Sequence, residues 1–119
     1  MQIRAIAKNV GHPPRKVRRV TEAIKGRRVN EALAILKFIP NAPARDVYKV
    51  VASAAANAEN NYEMDIDRLW VVNAIADEAP RRRKFRARPH GRASRIIMRN
   101  THITVYVSDD RAELPNNVR

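Results

Sequence analysis

The residues best suited to bind a charged partner are the basic side chains between positions 81 and 99. This stretch holds nine Lys and Arg residues and no acid, and eight of the nine are Arg. A guanidinium group binds phosphate through two parallel hydrogen bonds and stacks on bases, whereas the Lys ammonium acts as a point charge. We therefore predict that this stretch binds a polyanion, with Phe85 as an additional stacking surface.

A second basic cluster lies near the start of the chain. Residues 1–28 hold nine basic residues against one acid, whereas residues 29–80 hold four basic residues against eight acids. Solvated helix faces usually mix the two signs of charge, so the near absence of acids favours a binding surface over an ordinary exposed face. The candidate phosphate-binding residues of this cluster are Arg15, Lys16, Arg18, Arg19, Arg27 and Arg28.

Catalytic and metal-binding chemistry has little support in the sequence. The three histidines, His12, His90 and His102, share no spacing typical of a ligand set. The sequence has no cysteine, which excludes thiol nucleophiles, disulfide scaffolds and Cys-based zinc sites. With three glycines it also has no glycine-rich phosphate loop. We predict no enzymatic activity, no metal site and no cofactor.

Length and composition indicate how these residues are carried. The 119 residues are 45% hydrophobic but only 5% aromatic, which predicts one domain, residues 1–119, with an aliphatic core. The net charge of +12 again favours a polyanionic partner. No apolar run approaches the roughly 20 residues of a membrane span, and the first residues lack the apolar block of a secretory signal. We expect a soluble intracellular protein without a membrane partner.

Hydrophobic periodicity predicts an alternation of strands and helices. Pro14 suits the first position of a helix and Gly26 its end. In the penultimate strand we expect Leu69, Val71 and Ile75 to share one face. The predicted elements are a strand at 2–8, a helix that begins at Pro14 and stops at Gly26, helices at 30–38 and from 43 to about 60, and strands at 66–76 and 101–107.

The basic segment between the last two strands is predicted to form a projecting finger. Arg81 to Lys84 place charge on both faces of an extended chain, which leaves no apolar side for the core. Pro89-His90-Gly91 supplies a turn, and two arms of about ten residues would reach roughly 30 Å. Only Ile96, Ile97 and Met98 are expected to return to the core. The alternative is a disordered basic loop that binds any polyanion.

Several motifs resemble the bacterial-type large-subunit ribosomal protein L twenty-two family. They occur in the family's order and cover about residues 2–108. The motifs are Pro14-Arg15-Lys16-Val17-Arg18, Ala54-Ala55-Ala56-Asn57-Ala58-Glu59-Asn60-Asn61, Asp77-Glu78-Ala79-Pro80, Phe85-Arg86-Ala87-Arg88, Gly91-Arg92-Ala93 and His102-Ile103-Thr104-Val105. Pro13 stands where relatives often have a Ser, so we expect the first helix to lack a side-chain cap.

The resemblance implies an α+β fold, in which a three-stranded antiparallel sheet packs on three helices and a long β-hairpin, about residues 79–99, protrudes. It implies binding to large-subunit (23S-type) ribosomal RNA, contacts with neighbouring ribosomal proteins, and a ribosome-bound protein of the cytoplasm or an organelle. The hairpin would line the nascent-polypeptide exit tunnel, with a tip at Arg88, Pro89, His90, Gly91 and Arg92. Its RNA-binding residues would be Arg81, Arg82, Arg83, Lys84, Phe85, Arg86, Arg88, Arg92, Arg95 and Arg99.

Residues 109–119 carry no strong family signal and are expected to form a mobile tail, and we expect no homo-oligomer. Two other functions remain open from the residues themselves. One is a DNA-binding module that places the first helix in a major groove; the other is an RNA-processing enzyme, for which a paired acid and base are missing.

Overall fold

The computed structural model describes residues 1–87, 89–91 and 93–114, with backbone alone for residues 84–86 and 93–96. Three strands form one antiparallel sheet in the order β1-β3-β2, and three helices complete the α+β fold that we predicted. The elements are β1 (Ile3–Val10), α1 (Pro14–Ile24), α2 (Val29–Phe38), α3 (Pro43–Tyr62), β2 (Trp70–Ala87) and β3 (Ala93–Ser108). Short 3-10 turns lie at Ile66–Arg68, Pro89–Gly91 and Arg111–Glu113.

Helix α1 begins and ends where the sequence predicts. Pro13 is extended, with φ of −61° and ψ of 140°, and gives no side-chain cap hydrogen bond. Pro14 occupies the first turn, where its missing N–H removes no hydrogen bond. Lys25 leaves the helix with a ψ of 132°, and Gly26 follows in the left-handed region with a φ of 78°, which glycine adopts at low cost. The buried residues Val17, Val20 and Ile24 form the predicted stripe.

Small residues on the inner face of α3 set its distance from its neighbours. Ala44, Ala54 and Ala58 are each at most 1% exposed, and the larger Val47 and Val51 are fully buried between them. Alanine side chains allow close approach of the helix to the sheet and to α2. The predicted core of aliphatic residues is therefore confirmed, and it lies between the sheet and the three helices.

The side-chain alternation that we predicted for β2 is wrong beyond Val71. Val71 pairs with Val107 and Asn73 with the adjacent Tyr106, so Val72 is an extra residue in a bulge. A one-residue shift exchanges the two faces of a strand. Ala74 and Ala76 consequently enter the core, and Ile75 is only partly buried.

The start of β2 also differs from the prediction. Residues 66–68 form a 3-10 turn instead of strand, because the Asp65 carboxylate accepts a hydrogen bond from the Asp67 N–H at 3.0 Å. The strand begins at Trp70, four residues later than predicted.

Strands β2 and β3 continue together far beyond the body as a two-stranded finger. Backbone pairing extends to Ala87 and Ala93, and the chain measures 62 × 26 × 24 Å. Ala79 is the last buried residue of β2 among its described side chains. Ile97 and Met98 are 48% and 45% exposed, so our prediction that they return to the core is wrong. They pair with Arg83 and Arg82 on the finger, past the end of the body. The side chain of Ile96 lies outside the described part.

Residues 109–114 of the segment that we expected to be a tail lie against the body. Leu114 is 2% exposed, and the Met1 ammonium contacts the Glu113 Oε1 at 2.9 Å. The hydrophobic side chain of Leu114 favours this position because it is removed from water. Residues 115–119 lie outside the described residues.

The contact at Glu113 predicts a pH-dependent contribution to stability. The Ser108 hydroxyl and the Met1 ammonium hold the pKa of Glu113 below its ordinary value. A carboxyl group with a lowered folded-state pKa stabilises the fold above its unfolded pKa, about 4.3 for Glu, and this stabilisation is lost as pH falls through the folded pKa. Glu113→Gln should therefore lower the melting temperature at neutral pH. The difference in melting temperature from the unchanged protein should become smaller as the pH falls.

Thermal unfolding followed by circular dichroism, from neutral pH into acid, measures the difference in melting temperature between the variant and the unchanged protein. Glu59→Gln is the matched control, since Glu59 is exposed on α3 and no ion pair is found for it among the described residues. A melting difference for Glu113→Gln that stays constant into strong acid would contradict the prediction.

Candidate nucleic-acid interface

The buried stripe of α1 leaves its basic residues facing solvent. Val17 and Val20 are at most 2% exposed, whereas Arg15, Lys16, Arg18 and Arg19 are all exposed. Arg15 and Arg19 have no hydrogen bond or ion pair to the described residues. Their guanidinium groups are therefore available to an external anion.

Arg15, Lys16, Arg18 and Arg19 form the basic face of α1. Part of this face borders a cleft at the start of α3. Lys16 and Arg19 line a cavity of about 320 Å³ together with Asn41 and Pro43. His12 lies on the same wall, with its Nε2 3.0 Å from the Asp46 Oδ2. Two cations beside the positive end of a helix dipole form an environment that favours a phosphate group.

Arg18 has a second role that the sequence did not reveal. Its Nε donates a hydrogen bond to the Ala76 carbonyl oxygen at 3.1 Å, across 58 residues of sequence. This bond joins α1 to β2 near the base of the finger. The residue is thus both an exposed cation and a structural contact.

We expect Arg18→Gln to lower the free energy of unfolding by about 1 kcal/mol, because a hydrogen bond to a partly buried carbonyl is lost. The matched change Arg19→Gln on the same helix removes the same charge without that bond and should alter stability by less than about 0.5 kcal/mol. Urea titration of the two variants measures both values. Equal stability of the two variants would show that the Arg18 contact contributes nothing.

Arg27 and Arg28 are tied to the protein itself. The Arg27 Nη1 lies 2.7 Å from the Glu31 Oε1. The Arg28 guanidinium lies 4.8 Å from the centre of the Trp70 ring, and its Nη1 donates to the Asp67 carbonyl at 3.4 Å. Sequence analysis missed these partners because they lie beyond the acid-poor first 28 residues. Each of these two arginines must break its contact within the protein, or share it with the anion, when it binds an anion.

The finger presents its described basic side chains to solvent. Arg81, Arg82, Arg83 and Arg99 are all exposed, and none of them has an ion pair to a described acid. Arg88 and Arg92 lie outside the described residues, as do the side chains of Lys84, Phe85, Arg86 and Arg95. The cationic outgoing arm is therefore unpartnered over its described part.

The predicted turn at the tip of the finger is present. Pro89–Gly91 forms a 3-10 turn in which His90 and Gly91 have φ values of 65° and 73°. The positive φ of Gly91 agrees with the role expected of glycine, whereas that of His90 was not predicted. All three residues are exposed.

The side chains of the other two histidines contact groups of the protein itself. His12 contacts Asp46 at the cleft, and the His102 Nδ1 accepts a hydrogen bond from the Asn9 N–H at 3.1 Å. Within residues 1–87, 89–91 and 93–114, no group of three or more His, Cys, Asp and Glu residues is arranged to hold a metal ion. The helices in this part of the chain include none long and apolar enough to cross a membrane.

A third group of basic residues was not predicted. Lys37, Arg45 and Lys49 belong to the acidic middle of the sequence, yet they line one groove between α2 and α3. Their separation along the chain hides the cluster from a count of consecutive charges. Spacing on α3 gives a partial signal, because Arg45 and Lys49 are four residues apart on one helix face.

The fold and these surfaces define a small basic protein that presents positioned arginines to a polyanion, on a helix of the body and on a long finger. The family model of Ribosomal protein L22p/L17e matches residues 5–108, and the chain belongs to this family. It is accordingly a structural protein of the large ribosomal subunit that binds ribosomal RNA, in agreement with the resemblance of its motifs.

Proposed function

We propose that the protein holds distant segments of large-subunit ribosomal RNA together, and that its finger lines the nascent-polypeptide exit tunnel. The basic face of α1 would bind RNA at the body, while the finger would bind RNA far from it. Neighbouring ribosomal proteins, and the nascent chain near the finger tip, would be its protein partners. The role is structural, without catalysis.

The observation that carries this proposal is the length and exposure of the finger. The protein is 62 Å long but only 26 Å and 24 Å across. The exposed Arg81, Arg82 and Arg83 have no acidic partner among the described residues. A bare cationic projection is unfavourable in isolation because like charges repel. Its charges are matched when the finger lies among phosphates.

Contacts of this kind position the protein rather than read a sequence. Arginine contacts to phosphate fix the orientation of a protein on its nucleic acid but carry no base information directly. Selectivity for ribosomal RNA would then come from the shape of the folded RNA, which must offer two sites separated by the finger's reach.

The tip suits a tunnel wall because its described residues include no Lys, Arg, Asp or Glu. Pro89–Gly91 is short, exposed and flanked by the two arms of the finger. Such a turn fills little volume beside a passing peptide. His90 would face either RNA or the nascent chain.

A photoreactive amino acid at position 90 tests the tunnel assignment in assembled ribosomes that carry a stalled nascent chain. We expect crosslinks from this position to large-subunit RNA and to the nascent chain. The same group at Tyr62, which is 49% exposed at the far end of α3, serves as the control and should not reach the nascent chain. Crosslinks from position 90 to surface proteins alone would refute the proposal.

A further inference from the structure

A groove between the end of α2 and the first turns of α3 has basic residues that belong neither to the basic face of α1 nor to the finger, although it shares Asn41 with the cleft beside α1. It has a volume of about 630 Å³. Its floor and walls include Leu36, Ile39 and Pro40, and Tyr48 lines it from α3. The Lys37 ammonium lies 5.8 Å from the centre of the Tyr48 ring. The groove thus combines aliphatic surface with an aromatic ring and a cation.

The charges of this groove are all positive among the residues that the structure describes. Residues 29–80 contain only four basic residues against eight acids, and three of the four, Lys37, Arg45 and Lys49, line the groove. None of those eight acids lines it. The nearest acid in sequence, Asp46, contacts His12 in the neighbouring cleft. In an acidic region, this convergence of cations creates a local site for an anion.

An exposed aromatic residue, Phe38, is next in sequence to two residues of the groove, although it does not line the groove itself. Phe38 is the last residue of α2 and lies in the chain between Lys37 and Ile39, which both line the groove. It is 84% exposed, the most exposed large hydrophobic side chain described. Aromatic residues amount to only 5% of the chain. A largely exposed Phe next in sequence to the groove provides a flat surface on which a base can stack.

We propose that this groove binds an unpaired nucleotide of RNA. Lys37, Arg45 and Lys49 hold the phosphate groups, while the base stacks on Phe38 and covers the apolar wall. The inference rests on the RNA-binding function proposed above and adds a third contact, one that uses a base as well as phosphates. The candidate residues of the basic face of α1 are Arg and Lys alone, whereas the groove also offers an aromatic ring and an apolar wall, so the groove is the part of the body suited to single-stranded RNA.

Charge and shape favour a nucleotide over an acidic peptide. Three cations with no acid among the groove residues match the charges of consecutive phosphates, because each phosphate of an RNA backbone carries one negative charge. A peptide would need several carboxylates together with an apolar side chain to satisfy the same groove. A nucleotide offers both properties in one unit, because its base is flat and its backbone is anionic.

The test uses full-length protein labelled at phenylalanine and titrated with a short oligoadenylate at physiological salt. The sequence has two Phe residues, so the ring resonances of Phe38 are distinguished from those of Phe85, which is itself a predicted stacking residue of the finger. We expect stacking to move the Phe38 ring resonances, and an abasic oligomer of the same length to leave them in place. Shifts of equal size with the abasic oligomer, or tighter binding of an acidic, leucine-containing peptide, would overturn the proposal.

Two pairs of variants separate this site from general electrostatics, with the amide resonances of Lys37 and Lys49 as the readout. Arg45→Gln should weaken oligoadenylate binding at this site about tenfold, whereas Arg68→Gln, an exposed residue outside the groove, should not. Phe38→Ala should weaken it by about 5- to 100-fold, and Tyr62→Ala should have no effect. If Phe38→Ala binds as tightly as the unchanged protein, no base stacks there and the proposal is wrong.

The result also separates the groove from the proposed function. Loss of structured-RNA binding through the finger, with the Phe38 shifts intact, would refute the bridging role but support the groove. Intact bridging with no Phe38 shift would refute the groove alone.

Discussion

Replacing Arg81, Arg82 and Arg83 together by Gln is expected to lower the salt dependence of binding to structured large-subunit RNA without changing the stability of the free protein. Each phosphate contact contributes about 0.7 to 0.9 to the slope of log K against log salt. Loss of three contacts should therefore reduce the slope by about 2 to 3 and weaken binding strongly at low salt. The melting temperature should not fall, because these side chains are exposed and have no acidic partner among the described residues.

A control of equal charge distinguishes position from net charge. Lys25, Arg68 and Arg111 are basic residues outside the finger and outside the predicted face of α1, and Lys25→Gln, Arg68→Gln and Arg111→Gln together remove the same three charges. Filter binding over a range of salt concentrations measures both slopes. Equal slopes for the two triple variants would mean that the finger makes no specific phosphate contact.

The largest effect on stability is expected from Ile103→Ala. Ile103 is fully buried on the central strand β3, where it pairs with Ala7 on one side and Ala76 on the other. Truncating a buried Ile to Ala typically costs about 2–5 kcal/mol, through lost burial and the cavity that remains. Small domains are stable by only about 5–15 kcal/mol, so the variant should unfold at much lower denaturant concentration.

Ile97→Ala is the control on the same strand. Ile97 is 48% exposed on the finger, so the same truncation should change the free energy of unfolding by less than about 0.5 kcal/mol. Urea unfolding followed by Trp70 fluorescence compares the two. A cost at Ile97 similar to that at Ile103 would show that the finger packs on protein in solution and is not a free projection.

Periodicity along single elements predicted much of this fold. The stripe of Val17, Val20 and Ile24 and the small residues of α3 repeat over several turns, and each turn adds evidence for the same face. The bulge at Val72 could not be predicted in this way. Leu69-Trp70-Val71-Val72 is apolar throughout, so the sequence does not show where an extra residue enters the strand.

The candidate site could likewise be predicted only in part from the sequence. Consecutive charges revealed the finger and the basic face of α1, because their members are neighbours in sequence. Contacts between distant residues were not visible: the hydrogen bond from Arg18 to Ala76 spans 58 positions, and Arg28 lies over Trp70. The groove of Lys37, Arg45 and Lys49 is likewise created by the packing of α2 on α3.

The same limit explains the error at Ile97 and Met98. Apolar side chains in sequence favour burial, yet burial requires a surface to pack against. The paired strands carry these residues past Ala79, the last buried position of β2 among its described side chains. Their exposure is a consequence of the finger's length.

Amide hydrogen exchange of the full-length protein, free and bound to large-subunit RNA, tests most directly whether the finger is stabilised by RNA rather than by its own protein. The finger has backbone pairing but no described buried side chain beyond Ala79, so in the free protein its amides at 81–87 and 93–99 should exchange far faster than those of 103–107 in the core. On RNA the finger amides should become strongly protected. Finger amides that are as protected as the core before RNA is added, or unchanged after it, would contradict this central claim.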